Sequence, residues 1–396
     1  MTRETTDILI SGGGVAGLTA AAAFGTAGFH VICVDPTAPV TDANDADADL
    51  RTTAFLQPAV AVLQAAGLWH RLAPHAAALQ IMRIIDAGGL ANEARHIKDF
   101  DAAEISDQPF GWNLPNWLLR REILARLADL PNVSFRPGIA TTALLTRTSE
   151  ARVTLSDGSQ IAAKLAIAAD GRNSTLRDAL NIPVKTLRYG QKALSFAVTH
   201  PVPHQNISTE IHRSGGPFTL VPLPDRTGKP CSAVVWMESG PEVQRLAALP
   251  TPEFEAAITG RSCHILGPLT LATRLTQWPI ITQIAARMSG ERTALMAEAA
   301  HVLPPIGAQG LNTSLADLAC LLDLAQTDLG GEKMLDTYHR RRHPDVQARV
   351  LGIDALNRAA MLGMPPLRDL RATALNALYA MKPVRQTLMK AGLGVR

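Results

Sequence analysis

The chain has 396 residues, 47% of them hydrophobic, enough for two or three domains with substantial cores. Its 38 basic and 35 acidic residues leave a formal charge of +3, too even a balance for a nucleic-acid binder, and aromatic residues at 4% offer few platforms for stacking on bases. Cys33, Cys231, Cys263 and Cys320 lie far apart, with no CxxC and no Cys/His cluster, which argues against bound metal and against a disulfide framework.

The opening residues, MTRETTD, are polar and run straight into an apolar stretch, so no signal peptide is expected, and no uninterrupted apolar run has the length of a bilayer. The expectation is a cytoplasmic protein, able at most to visit the inner membrane from its surface. Residues 8–35 then read as strand, glycine turn, helix, strand: Ile8 to Ile10, Gly12-x-Gly14-x-x-Gly17, an Ala-rich segment, and Val31 to Val34 ending in Asp35. Gly12 permits the tight turn, Gly14 lets a pyrophosphate approach the backbone, and Gly17 lets helix and sheet pack closely. The helix N-terminus meets phosphates with free N–H groups, and Asp35 stands where a carboxylate accepts hydrogen bonds from a ribose. The motif points to a dinucleotide and leaves NAD and FAD both open.

Four aspartates between residues 42 and 49 sit among Pro, Ala and Asn, the composition of an exposed loop. Arg51 follows, where the loop returns towards a helix over 59–67, and could reach a phosphate or an isoalloxazine. Residues 81–86 and 93–98 read as a hairpin, and 116–130 as a helix with Leu119, Ile123, Leu127 and Leu130 on one face. Short alternating strands fill 133–168, turning at Ser156-Asp157-Gly158. The last of them runs into Asp170-Gly171-Arg172, at a strand's carboxyl end, where α/β sheets place ligand contacts.

From Pro183 to Gly267 proline-punctuated, strand-like pieces suggest a mainly antiparallel domain inserted in the first. A strand is then expected to end at Glu298, and a Gly/Ala/Gln/Gly turn to open a helix from about Leu311, aimed at an anion or a flavin edge. His301 has no partner at a spacing that would make it a general base, and reads as a structural or cofactor-edge residue. YHRRRH at 338–343 reads as a solvated basic helix face. The segment 366–396 carries six Lys/Arg against one Asp, with Leu367, Leu370, Leu378, Met381 and Leu388 at roughly helical spacing. It would dock on an anionic membrane or cover the fold. A second complete GxGxxG unit is lacking, which argues against a separate nicotinamide domain.

Three motifs stand in order: the fingerprint at 12–17 with Asp35, ADGRNSTLR at 169–177, and AEAAHVLPPIGAQGLN at 297–312. With RTTA at 51–54, PNWLLRREIL at 115–124, YGQKALSFAV at 189–198 and GGPFTLVPLP at 215–224, this set resembles the class A FAD-dependent aromatic hydroxylases, nearest the ubiquinone-biosynthesis hydroxylases. The resemblance implies an α/β fold: a Rossmann-like FAD-binding domain of the p-hydroxybenzoate hydroxylase type over 1–80, 112–182 and 276–350. It implies an antiparallel substrate domain over 81–111 and 183–275, and a C-terminal helical segment over 351–396. It also implies FAD as cofactor, NAD(P)H as electron donor, and O₂ and a prenylated aromatic molecule as substrates. Gly12, Gly14 and Gly17 would take the pyrophosphate, Asp35 the adenosine ribose, and Arg51 and Asn116 flavin or phosphate groups. Asp170 would sit by the pyrophosphate and Glu298 by the ribityl chain, while Gly307, Gly310, Leu311 and Asn312 would back the isoalloxazine, with His301 and Pro305 at its edge.

The chain departs from this pattern at Ala297-Glu298, where Gly-Asp is usual, at Ala308, where glycine is usual and Gly307 carries it instead, and at Ser314. The rival readings are a flavin reductase or dehydrogenase on the same scaffold and, motivated by the altered third motif and the basic tail, a non-catalytic member of a biosynthetic complex.

Overall fold

The computed structural model describes residues 4–87, 93–213, 215–361 and 378–394. Its first layer is a sheet ordered Ser289–Gly290, Thr293–Leu295, Gln160–Ala168, Glu4–Ser11, Val31–Asp35 and Val133–Pro137, parallel except at its 289–290 edge. The carboxyl halves of its central strands are apolar and buried: Ile8, Leu9 and Ile10 have no exposure, nor do Leu165 to Ala168. The helix Val15–Thr26 is buried along most of its length because its alanines and glycines let it lie close to the sheet and to the helices Asn116–Ala128 and Gln309–Ala325. A hairpin, Thr141–Arg147 and Glu150–Leu155, extends this sheet antiparallel from Gln160–Ala168.

The second layer is a nine-stranded sheet that roofs the first. Its order is His301–Val302, Thr276–Ala285, Val184–Thr199, Lys229–Ser239, Pro217–Arg226, Ile207–His212, Ile81–Asp86 and His96–Asp101, with Thr270–Leu271 beside Val184–Thr199. Among the described residues only the pairing of Ile207–His212 with Ile81–Asp86 is parallel in this sheet. Leu194, Phe196, Ile211, Phe218, Leu220, Val234 and Trp236 form its outer core with Val243, Leu246, Phe254 and Ile258 from two helices, Gly240–Ala247 and Thr251–Arg261. Those helices fall where strand-like pieces alone were expected. The first has its own start signal, since the Ser239 hydroxyl accepts the Glu242 N–H and Pro241 opens the turn. A three-stranded sheet, Thr52–Leu56, Gly111–Pro115 and Ala77–Leu79, fills one end of the space between the layers.

Several expectations are corrected. Residues 52–56 after Arg51 form a strand, with the helix at Gln57–Ala65. The second strand of the 81–101 hairpin is His96–Asp101, its intervening turn lying largely outside the described residues. The strand before Glu298 ends at Leu295. A 3₁₀ turn, Ala297–Ala299, carries Glu298, and the chain then adds His301–Val302 to the roof, pairing Gln283 with Val302. The third motif therefore stitches the two layers together. In the helix Glu332–Met361, YHRRRH is not uniformly solvated: Tyr338 is fully buried and donates to the Leu295 carbonyl at 2.8 Å, and Arg342 points inward. Of the C-terminal apolar residues, Leu367 and Leu370 lie outside the described residues. The helix Lys382–Leu393 buries Met389 and Leu393 while Leu378, Met381 and Leu388 stay exposed.

Candidate cofactor and substrate site

Gly12, with φ of 111°, lies beneath Ala169, and a Cβ there would strike the Ala169 carbonyl. A Cβ on Gly17 would strike the Gly12 carbonyl in turn, so the turn, the helix and the loop after Ala168 close on one another only through missing side chains. Gly14 differs: a Cβ there meets nothing within 4 Å, which leaves its flank open at the helix N-terminus. Asp35 Oδ2 accepts the Gly13 N–H at 2.6 Å and Oδ1 accepts from Thr37, so the carboxylate stands against the glycine turn.

On the other flank, Asp170 Oδ2 accepts from Ser11 Oγ at 3.4 Å and from the Leu176 N–H at 3.3 Å, whereas the buried Oδ1 has no hydrogen-bond partner among the described residues. Burial pushes the Asp170 carboxyl up, against the hydrogen bonds that favour its charge. An open glycine flank at a helix N-terminus fits the pyrophosphate of an extended dinucleotide, with the buried Asp170 carboxyl beside it. Arg177 ties this loop to the third motif, donating to the carbonyls of Arg172 at 3.0 Å and Ala299 at 3.2 Å, and Arg172 lies 3.5 Å from a half-exposed Glu298.

Arg51 and Asn116 come together through a residue that sequence reasoning assigned to an exposed loop. Asp49 takes both guanidinium contacts of Arg51 (2.8 and 2.7 Å) and the Asn116 amide at 3.1 Å, with Arg120 at 3.6 Å. Burial works against the Asp49 charge, but these donors outweigh it and hold the carboxyl below its usual range. Asp42, Asp45 and Asp47 are exposed, as expected of the loop. The usable signal was position, since Asp49 precedes Arg51 by one strand repeat. Arg51 also lies over Trp278 of the roof, 5.3 Å from its ring centroid, so this corner joins both layers.

The third motif's turn is held from outside. Gly307 and Ala308 both have left-handed φ, 62° and 57°, and Ala297 does too at 54°. Asn312 fixes the helix to the strand after Arg51, accepting the Leu56 N–H at 2.8 Å and donating to the carbonyls of Ala54 and Ala308. Gln309 donates to the carbonyls of Gly307 at 2.9 Å and Gly392 at 3.1 Å, while its Oε1 accepts from Arg349 at 2.6 Å. Gly310 is exposed and Leu311 half-buried, so the first turn of this helix presents backbone to the interlayer space.

His301 finds its partner one helix later. Its Nε2 is 2.6 Å from Asp317, whose other oxygen accepts from Arg342 at 2.8 Å, and Arg342 continues to Asp345 at 2.7 Å and Asp345 to Arg349 at 3.1 Å. Burial opposes the Arg342 charge, yet the two carboxylates more than offset it and raise its pKa. Pro305 stands half-buried beside Ile306, which packs with Ala193, Met237, Ile280 and Ile353 under the roof. Among the described residues no group of three or more His, Cys, Asp or Glu could hold a metal ion.

A dinucleotide turn on a parallel sheet, roofed by an antiparallel sheet that shares the third motif, defines an FAD-dependent monooxygenase. The FAD binding domain family matches residues 5–351, and the chain belongs to that family. It is 31% identical to the ubiquinone hydroxylase UbiL of Rhodospirillum rubrum, over 99% of this chain and 90% of that protein, and 27% identical to the 3-demethoxyubiquinol 3-hydroxylase of Escherichia coli over the whole of both. Among solved structures, p-nitrophenol 4-monooxygenase PnpA from Pseudomonas putida shares the fold, with a TM-score of 0.79 at 20% identity over 99% of each chain. The chain is therefore a class A flavin hydroxylase of the ubiquinone-biosynthesis type.

Proposed function

We propose that this chain hydroxylates the ring of a prenylated phenol or quinone precursor, drawing electrons from NAD(P)H. The observation that carries the reading is the interlayer space itself. On one side stand the glycine turn, Asp170 and the Gly307–Asn312 turn; on the other is a sheet face whose Val235, Trp278 and Tyr189 pack around Met237 and Ile306. When bound there, FAD supplies hydride acceptance from the nicotinamide and activation of O₂ for transfer of one oxygen atom.

The residues of this chain bind and orient. Gly14 and the helix N-terminus would hold the pyrophosphate, with Asp170 beside it. Asp35 would hold the adenosine ribose, Glu298 the ribityl chain, and the first turn of the helix from Gln309, backed by Asn312, the ring. The Asp49 clamp would set Arg51 and Asn116 at the flavin's flank, and the roof would exclude water from the reacting ring. The division into layers supports the limits proposed for 183–275, while Thr276–Ala285 and His301–Val302, assigned from the sequence to the FAD-binding domain, pair in the roof. The exposed Leu378, Met381 and Leu388 beside Lys382 and Lys390 support transient contact with an anionic membrane that stores prenylated substrate, a contact that flotation with anionic vesicles tests.

The main test is rapid mixing of the FAD-loaded protein with NAD(P)H and 2-prenylphenol under ¹⁸O₂. Faster NAD(P)H oxidation with one labelled oxygen atom in the product is expected. Oxidation without label would make the chain a reductase.

A further inference from the structure

The roof has two outer edges, and they are closed differently. At one, His301–Val302 continues from the third motif, so the chain itself links the layers. At the other, the last strand is His96–Asp101, and the C-terminal helix Lys382–Leu393 stands against it, with Tyr379 just before the helix. Strand alternation sets the side. Ile85 packs in the outer core, so Ile84 with its cross-strand partner Lys98, and Met82 with its partner Phe100, face the flavin layer. Tyr379 lies on that inner side: its ring meets Phe100 edge-on at 5.4 Å, Lys98 is 4.9 Å from its centroid, and its hydroxyl donates to the Asp99 carbonyl at 2.9 Å.

The helix then crosses between the layers. Near its start Arg385 donates to the Glu104 carboxylate at 2.8 and 3.1 Å and Gln386 to the Glu104 carbonyl at 3.0 Å, at the turn that follows the last roof strand. At its far end the Gly392 carbonyl accepts from Gln309 at 3.1 Å, and Gln309 opens the helix whose first turn would back the flavin ring. Twelve residues of helix span about 18 Å, more than the roughly 10 Å between packed layers, so one element reaches both. Its polar anchors are side-chain contacts close to solvent: Arg385 and Glu104 keep 15% and 23% of their side-chain surface. Met389 and Leu393 are buried beneath it, whereas Leu388 on the same helix is exposed. A wall held in this way can lift without unfolding either layer.

Resting on the reading above that a prenylated phenol is held between the layers, we propose that the helix Lys382–Leu393 is the gate through which that substrate enters. The Arg385–Glu104 pair is its latch, and Gln309 links closure to the turn beside the flavin. With the gate open, the substrate passes the edge at Phe100 and Tyr379 to the inner face of the roof. With it shut, Gln309 holds the carbonyls of Gly307 and Gly392 together, so the turn is fully supported only when water is excluded from the reacting ring. Arg385 and Glu104 are positioning residues, since they touch the gate and not the substrate.

The experiment uses the whole FAD-loaded chain and 2-prenylphenol. Without reductant, stopped-flow recording of the flavin absorbance gives the association rate; with NAD(P)H, the share of electrons lost as hydrogen peroxide gives the leak. Arg385→Glu and Glu104→Arg each set like charges against one another. Each is expected to raise the association rate about tenfold, the factor that one charge-assisted contact carries, and to raise the leak. Combining them restores the pair with its charges exchanged, and both readings should return to wild-type values. A merely structural pair would not speed binding when broken. Hydrogen exchange of wild type is the second measurement, and it stands should the single variants not fold: amides of 385–393 should gain protection when 2-prenylphenol is bound. Single variants that bind and leak as wild type does, a double variant as leaky as the singles, or helix amides whose exchange ignores the bound phenol overturn the gate and leave the hydroxylase reading intact. A wild type that neither binds nor hydroxylates any prenylphenol overturns the parent reading and this one with it.

Discussion

Two turns stand on the same side of the interlayer space, and they keep their shapes by opposite means. The fingerprint turn at 12–17 is shaped by absence: Gly12 and Gly17 close against Ala169 and each other, and nothing but glycine fits. The turn at 297–312 has the same need for left-handed backbone but places alanine at Ala297 and Ala308, where each costs about 1–2 kcal/mol relative to a relaxed conformation. Its shape comes from side chains arriving from elsewhere: Arg177 at Ala299, Asn312 across to Ala54, and Arg349 through Gln309. One turn is a property of its own sequence, the other of the assembled fold.

The contrast breaks most decisively at the charged chain behind the second turn. Asp317→Asn leaves Arg342 short of a carboxylate in a buried setting and takes the charged partner from His301, at an expected cost of about 3–5 kcal/mol. Denaturant unfolding of the apo-protein measures it, and a loss below about 1 kcal/mol would mean that the turn is self-supporting after all. The fingerprint then offers an internal comparison. Gly17→Ala should cost about 1–3 kcal/mol, as overpacking does, and yield colourless protein. Gly14→Ala should leave the apo-protein's unfolding unchanged, because its Cβ meets nothing, while weakening FAD about tenfold in a titration. Equal effects on apo-protein stability from the two substitutions would refute the division of labour between them.

That division explains how much could be read from the sequence. The fingerprint and Asp35 were legible because their physics is local: glycines at fixed spacing, apolar runs too short for helices, an acid at a strand's end. The helix from Gln309 was legible for the same reason. Asp49 was not, since only the return of the chain to Asn116 and Arg120 separates it from three exposed aspartates in one loop. His301 was left without a partner because Asp317 meets it only after the chain crosses from roof strand to helix. The first of the roof's two outer helices was signalled by Ser239-Gly-Pro-Glu242 but hidden by the prolines, which read as strand punctuation.

Between the two turns lies Asp170, and its pH dependence sharpens which of them the pyrophosphate leans on. Burial holds its carboxyl above the ordinary 3.8, so the folded apo-protein disfavours the ionised form. The resulting penalty is full at neutral pH and disappears as pH falls through the folded-state value and below 3.8. Asp170→Asn should therefore raise the apo-protein's Tm at pH 7 by about 1–2 °C, the effect of roughly 1 kcal/mol in a chain this long, and match wild type in acid. Because asparagine keeps an acceptor oxygen for the Ser11 hydroxyl and the Leu176 N–H, the loop should hold its shape and FAD affinity persist in Asp170→Asn and fall in Asp170→Ala. A Tm difference that grows as pH drops would reverse the sign of this assignment.

The smallest effect is the most discriminating. Ala308→Gly relieves the left-handed alanine, a gain of about 1–2 kcal/mol, but frees the unfolded chain by about 0.4–1 kcal/mol, so the net stabilisation should lie between about zero and 1.6 kcal/mol. If the turn's shape is imposed by Gln309, Arg349 and Asn312, FAD affinity should not change, because those hydrogen bonds do not involve the Ala308 side chain. Removing the support instead, by Arg349→Met, should leave Ala308 strained and unsupported and lower FAD affinity, and adding Ala308→Gly to that variant should recover part of the loss. Recovery in the double variant alone would show that alanine is tolerated at this turn only because the rest of the fold holds it there. Equal gains with and without Arg349 would mean that the two turns keep their shapes in the same way.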